Sequence, residues 1–284
     1  MKRLIVNADD LGADESRNAG IFEAIEAGVV TSVSVLANGP AFEDALRRIR
    51  FSSRKEVSYG IHLNLSEGRS LIRNLRLLAG PDGYFPGKAR AHRLFEQRGN
   101  NDLKEQIYRE TTAQIEALLN AGIPVTHLDG HQHIQTFPAV IETAIQVAEV
   151  FRIPWIRLPD EPPDRHLNGS SLDTKALLYG RFASEARPYI EKSKVKTTDH
   201  FRGLYLKGRL RLSLLKNTLE LLPDGTTELM VHPGRAPSGE SRGTFSSFST
   251  PDRENELMAL VGEGFRNALI EYDISLTPFP EVNT

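Results

Sequence analysis

A chain of 284 residues, 39% of them hydrophobic and 25% charged, has apolar material for one large α/β domain or two small ones. Its formal net charge of −2 offers no electrostatic case for a nucleic-acid or anionic-membrane partner, and the basic cluster at 207–211 reads as a solvated face. With no cysteine, disulfides, thiolate zinc sites and cysteine nucleophiles are excluded, so any metal must be held by His and Asp or Glu.

The N-terminal residues run straight into a strand-like segment. Their apolar run is too short for a signal peptide and no stretch approaches a membrane span, which points to a cytoplasmic protein. Leu4-Ile5-Val6 predicts a buried strand, and Ile21, Ala24 and Ile25 predict a helix over 16–27. A strand over 29–36, a helix over 41–49 and a strand over 57–63 follow. A long amphipathic helix is expected over 101–121, with Ile107, Ile115 and Leu118 on its apolar stripe. Then come a strand at 125–128, a helix at 138–151, a strand at 155–158, a helix at 210–222, a strand at 227–231 and a closing helix at 253–263. Residues 71–99 and 160–203 fit neither period and read as inserted loops of the kind that wall a substrate cleft. Repeated strand–helix alternation argues for a parallel sheet. Six or so such units suit a single domain over 1–284 built as a complete or distorted (β/α) barrel of the TIM-related kind. An open doubly wound sheet is the alternative, although no Gly-rich phosphate fingerprint follows the first strand.

Ionisable residues gather where the predicted strands end, the edge at which parallel α/β folds build their sites. Strand one ends in Asn7-Ala8-Asp9-Asp10, and another in Gly60-Ile61-His62-Leu63. A third runs into His127-Leu128-Asp129-Gly130-His131-Gln132-His133, and a late one ends in His232-Pro233-Gly234. Asp9 and Asp10 can diverge at a strand end, one toward a metal and one toward a water. Otherwise Asp10 would cap the helix beginning near Asp14. While the chain stays extended, His127, Asp129, His131 and His133 share one face. All four cannot bind one ion with good geometry, so some must orient the others, a role that suits Asp129. Two imidazoles and a carboxylate suit zinc or another divalent transition metal better than magnesium, which prefers oxygen. Arg157, at the end of another strand, could orient Asp9, bind substrate or form a structural ion pair. Tyr84, Phe85, Trp155 and Phe201 are aromatic candidates for contact with a substrate.

The ordered set of Asn7-Ala8-Asp9-Asp10-Leu11-Gly12, Gly60-Ile61-His62-Leu63, the 126–133 run and His232-Pro233-Gly234 resembles the YdjC/ChbG-like carbohydrate deacetylases. Thr198-Asp199-His200-Phe201 adds a weaker match. Leu11 stands where that family more often has Phe, and Gly130 where it more often has Ser. The resemblance implies a NodB-like distorted (β/α) barrel that removes N-acetyl groups from an acetylated saccharide, and it suggests a homodimer. It also implies one divalent ion on Asp10, His62 and His131, with Asp9 as general base and His232 as general acid. Magnesium is the ion associated with the family, in conflict with the donor-set argument. His127, Asp129, His133 and Arg157 are left as supporting or substrate-binding residues.

Two readings compete. Gly130-His131-Gln132-His133 also fits an element of two-metal phosphoesterases, although their early Asp-x-His and central Gly-Asn-His are absent. A non-catalytic sugar-binding protein on the same fold is the other.

Overall fold

The structure, a computed structural model, describes residues 1–98, 100–162, 171–236 and 251–280. Strand β1 (Lys2–Leu11) is followed by α1 (Glu15–Glu26), β2 (Ser32–Val35), α2 (Phe42–Phe51), β3 (Ser58–Leu63), α3 (Lys88–Phe95) and α4 (Asn101–Asn120). Then come β4 (His127–Gly130), α5 (Ile141–Val150), β5 (Trp155–Ile156), α6 (Ser171–Glu191), β6 (His200–Arg202) and α7 (Leu212–Glu220). Strand β7 (Gly225–Val231), α8 (Pro251–Val261), α9 (Glu263–Glu271) and β8 (Ile274–Leu276) complete the order.

Local chemistry explains the boundaries. Asp14 caps α1 by accepting the N–H of Arg17, and Asn100 caps α4 by accepting that of Leu103. Leu4, Ile5, Val6 and Ala8 of β1 are all buried, as expected for a parallel strand covered on both faces.

Every strand pairing is parallel, in the order β5-β4-β3-β2-β1-β7-β6, with β8 alongside the start of β1. The edges curl toward each other. The N–H of Ile156 in β5 donates to the carbonyl of Lys196, just before β6, and the N–H of Lys196 donates to that of Pro154, both at 2.8 Å. That contact distinguishes a distorted (β/α) barrel from an open doubly wound sheet. After β8 the chain crosses the N-terminal ends of the strands. Phe279 donates its N–H to Ser58, Trp155 donates its indole N–H to the Pro280 carbonyl, and the Phe279 ring stacks on His127 at 4.2 Å.

Three expectations change. Residues 71–99 are not loop throughout, because they contain α3. The stretch 160–203 carries α6 and β6 as well as connecting chain, although residues 163–170 lie outside the described residues. Ala176, Tyr179, Phe182, Ala183, Ala186 and Ile190 are buried at helical spacing, a period masked in the sequence by Pro188 inside the helix. The helix expected at 253–263 does not close the fold, since α9 and β8 follow it. Among the described residues no helix is long and apolar enough to cross a membrane.

Candidate active site

Strand β1 does not end before its two acids but bends through them. Its register against β2 shifts between Ala8 and Leu11, and Asp10 takes a left-handed φ of 70°. A bulge of this kind re-aims side chains, which is how adjacent Asp9 and Asp10 come to serve different partners. Asp14, not Asp10, is the cap of α1.

Asp10, His62 and His131 converge. Asp10 Oδ1 lies 3.4 Å from His62 Nε2 and 3.0 Å from His131 Nδ1, and all three residues are buried. Two donors each ~2.1 Å from one ion stand roughly 3.0–3.4 Å apart, so these separations fit a shared metal. The remaining ring nitrogens are occupied. His62 Nδ1 pairs with Asp129 Oδ1 at 2.7 Å and His131 Nε2 with Glu67 Oε2 at 2.9 Å, which turns the other nitrogen of each ring toward Asp10. The residues present therefore fit a divalent ion.

The electrostatics agree. Burial would raise the Asp10 carboxyl, but Arg253, His131 and His62 hold it well below the usual carboxylate range. Arg253 donates to its Oδ2 at 2.6 Å, leaving Oδ1 for the histidines. Burial would lower His62, but Asp129, Asp10 and Asp9 raise it to about 10, so without metal it carries a proton that an ion must displace.

Arg157 is wholly buried beneath this group. It grips both oxygens of Asp9 at 2.7 Å, reaches Asp129 Oδ2 at 2.7 Å and donates through Nε to Glu228 Oε1 at 2.7 Å. Asn7 adds a donor to Asp9 at 2.8 Å, and Ser34 one to Asp129 at 2.6 Å. With its side chain sealed from solvent, Arg157 orients Asp9 and has no surface left to offer a substrate. Asp9, His62 and Asp129 also lie close enough to suggest a metal group. Arg157 already neutralises its two carboxylates, so that cluster is an ion-pair network.

His232 directly follows β7, beside the same site. Its backbone N–H donates to Glu256 at 2.6 Å, and burial with Lys207 and Arg253 nearby holds the imidazole well below its ordinary range, so it rests neutral.

The shared face expected for 127–133 breaks after Gly130. His131–Thr136 is a 3-10 segment in which Gln132 and His133 take left-handed φ of 59° and 57°. His127 stays on the Asp129 face of β4 but nearer the start of the strand, between Ser34 and Thr126 and against Phe279, and burial drives its pKa down to about 3. Gly60 makes its room, because a Cβ there would lie 2.4 Å from the His127 ring. His133 packs against Tyr179 at 4.8 Å between ring centroids, and burial keeps it neutral. Neither histidine joins the Asp10 group. Phe85 and Phe201 are buried and Trp155 starts β5 at the opposite end of the barrel, so of the four aromatic candidates only Tyr84 is exposed. The basic cluster at 207–211 is not a solvated face throughout. Lys207 is half-buried within electrostatic reach of Asp10, Asp9 and Glu256, and burial lowers its pKa.

Glu67, Glu228 and Arg253 escaped the sequence reading. A charged residue inside the apolar run of β7 was a signal for Glu228, and an acid four residues past the end of β3 was one for Glu67. Arg253 arrives on a helix distant in sequence and had no signal.

Comparison with known proteins gives a consistent answer. A family model described as YdjC-like protein matches residues 3–271. The human carbohydrate deacetylase is 33% identical over 303 residues, covering 99% of this chain and 91% of that protein. The Brevibacillus brevis carbohydrate deacetylase is 29% identical and each chain is covered to 99%. A solved structure from Enterococcus faecalis, described as a candidate cellobiose-phosphate cleavage protein, shares the fold with a TM-score of 0.74 at 24% identity, covering 98% of this chain and 97% of that one. The chain belongs to the YdjC-like protein family.

Proposed function

We propose that this protein is a metal-dependent hydrolase that removes N-acetyl groups from acetylated sugars, releasing acetate and a free amino sugar. The observation that carries this reading is the convergence of Asp10, His62 and His131, with Asp9 held beside them by Arg157. Relatives named carbohydrate deacetylase along nearly the whole chain support the substrate class.

A divalent ion on those three residues would polarise the acyl carbonyl and acidify a water. Two imidazoles favour a transition metal such as zinc, whereas the family resemblance favours magnesium. Asp9, clamped in one orientation by Arg157 and Asn7, takes the proton of the attacking water. His232 hands a proton to the departing amine. It rests neutral, so the proton it hands over is the one Asp9 has taken from the attacking water, and Asp9 gives it up again as the intermediate breaks down. Asp129 orients His62 and, through Arg157, shares its counter-charge with the base. The two-metal phosphoesterase reading loses support because Arg157 occupies the carboxylates a second ion would need. A non-catalytic sugar binder has no use for an acid clamped beside three convergent metal donors. The homodimer goes with the family resemblance.

The test is acetate release from N,N′-diacetylchitobiose and a panel of N-acetyl sugars. Metal-stripped protein would be reconstituted separately with zinc, cobalt, nickel, manganese and magnesium, with His131→Ala as the control. Metal-dependent release that vanishes in the control is expected. No release from any sugar despite tight metal binding would move the reading to another acyl or phosphoryl substrate. Asp9→Asn should lower turnover by on the order of 10²–10⁴ with metal still bound. Near-normal turnover in that variant would remove Asp9 from the role of base.

A further inference from the structure

His62 and His131 are fixed by different means. Asp129, which holds His62, lies on a strand and is itself anchored by Ser34 and Arg157. Beyond Gly130 the chain turns into left-handed residues, so β4 supplies no such acid for His131. Glu67 reaches its ring instead, from the connection that follows β3.

That connection is tightly mounted. The Asn64 side chain accepts the N–H of Ser66 and of Glu67 and donates to the Glu67 carbonyl at 2.7 Å, closing a turn around Glu67. From outside the site, α4 grips the same stretch. Gln114 pairs with both backbone groups of Asn64, at 3.1 and 2.8 Å. Glu110 accepts the N–H of Leu71 and Ile72 at 2.9 and 3.2 Å, and Gln106 accepts that of Leu77 at 2.8 Å. Gln106, Glu110 and Gln114 recur every four residues and are buried, so they form one polar stripe on the helix. Such a stripe has no use in an apolar core except to satisfy the peptide groups of this connection. Its effect is to seat Glu67 Oε2 2.9 Å from His131 Nε2, across the ring from Asp10. On that side Glu67 cannot itself be a fourth ligand.

We propose that Glu67 is the positioning residue that fixes the His131 ring with Nδ1 toward Asp10, and that metal affinity is thereby set from a connection held by α4. An imidazole without a partner on its second nitrogen can rotate or change tautomer, and it is a weaker donor than one backed by a carboxylate. The inference rests on the reading that this site takes a divalent ion.

The experiment measures zinc and cobalt affinity by competition with a chromophoric chelator, for the full-length protein and for Glu67→Gln and Glu67→Ala. Both variants should bind metal about 10–100-fold more weakly, the glutamine less affected because its oxygen still accepts. The metal-stripped variants should melt with the wild type, and turnover should climb back toward the wild-type value as metal is raised. Unchanged affinity would overturn the proposal. So would a matching loss of stability in the metal-stripped protein, which would make Glu67 merely structural. The affinity and melting measurements need no sugar. Weakened metal binding in Glu67→Gln together with no deacetylation of any sugar would sink the deacetylase reading alone. A working deacetylase whose metal affinity ignores Glu67 would sink this one alone.

Discussion

Glu161 shows what burial does to a single side chain away from the metal group. Its carboxylate accepts the backbone N–H of Leu204 at 2.6 Å and also faces those of Gly203 and Tyr205. Burial outweighs these donors and raises its pKa from an ordinary 4.5 to about 7. Between those values the folded protein holds a proton that the unfolded chain has lost. The stability contributed by this group is therefore fully present below about pH 4.5 and is lost as pH rises through 7, by up to about 3 kcal/mol. Urea unfolding of metal-stripped protein near pH 5 and pH 8 should find Glu161→Gln gaining on the wild type at the higher pH. An equal difference at both would mean that Glu161 does not titrate. Among the site residues, Asp10, His62 and His131 were legible one by one, because each stands at the end of a recognisable strand. The role of Asp9 was less so, since its setting depends on Arg157, 148 positions away in the chain.

At the scale of elements, α1 and the end of β7 touch through backbone. A Cβ on Gly20 would lie 2.4 Å from the Cα of Gly234, so two glycines let the His232-Pro233-Gly234 turn lie flat on the helix. Arg235 then binds Glu23 of α1 and Glu254 of α8, pinning the turn from both sides. In an exposed helix Gly→Ala stabilises by up to about 1 kcal/mol. Here Gly20→Ala should reverse that sign and also lower turnover, because the backbone it displaces carries His232. Unfolding and acetate release measured on the one variant check both, and a stabilised, fully active protein would refute the contact. Elements with a clean period were readable in the sequence. Helix α6 was not, because Pro188 interrupts its pattern, and α3 was not, because it is only eight residues long and follows an irregular stretch.

For the molecule as a whole, the metal group draws on β1, β3 and the turn after β4, so an ion would tie together residues 121 positions apart. An ion that binds only the folded chain stabilises it by about 2.7 kcal/mol when present at 100 times its Kd. For a chain of this size that corresponds to a rise in melting temperature of roughly 4–5 °C. Thermal unfolding before and after chelation should show that difference, and Asp10→Asn should abolish most of it. Identical melting curves with and without metal would mean that the group does not hold an ion in the folded protein.

Sequence alone determined the alternation of strands and helices, the metal-ligand chemistry open to a chain without cysteine, and the acids and histidines waiting at strand ends. These follow from residue type and short-range periodicity, which are local. Tertiary structure decided which donors meet. It set the bulge that separates Asp9 from Asp10, left His127 below Asp129 against Phe279, sent His133 into the packing around α6, and brought Glu67, Arg253 and Glu228 to the site. Those outcomes depend on backbone direction and on partners from distant segments, and no local pattern encodes either.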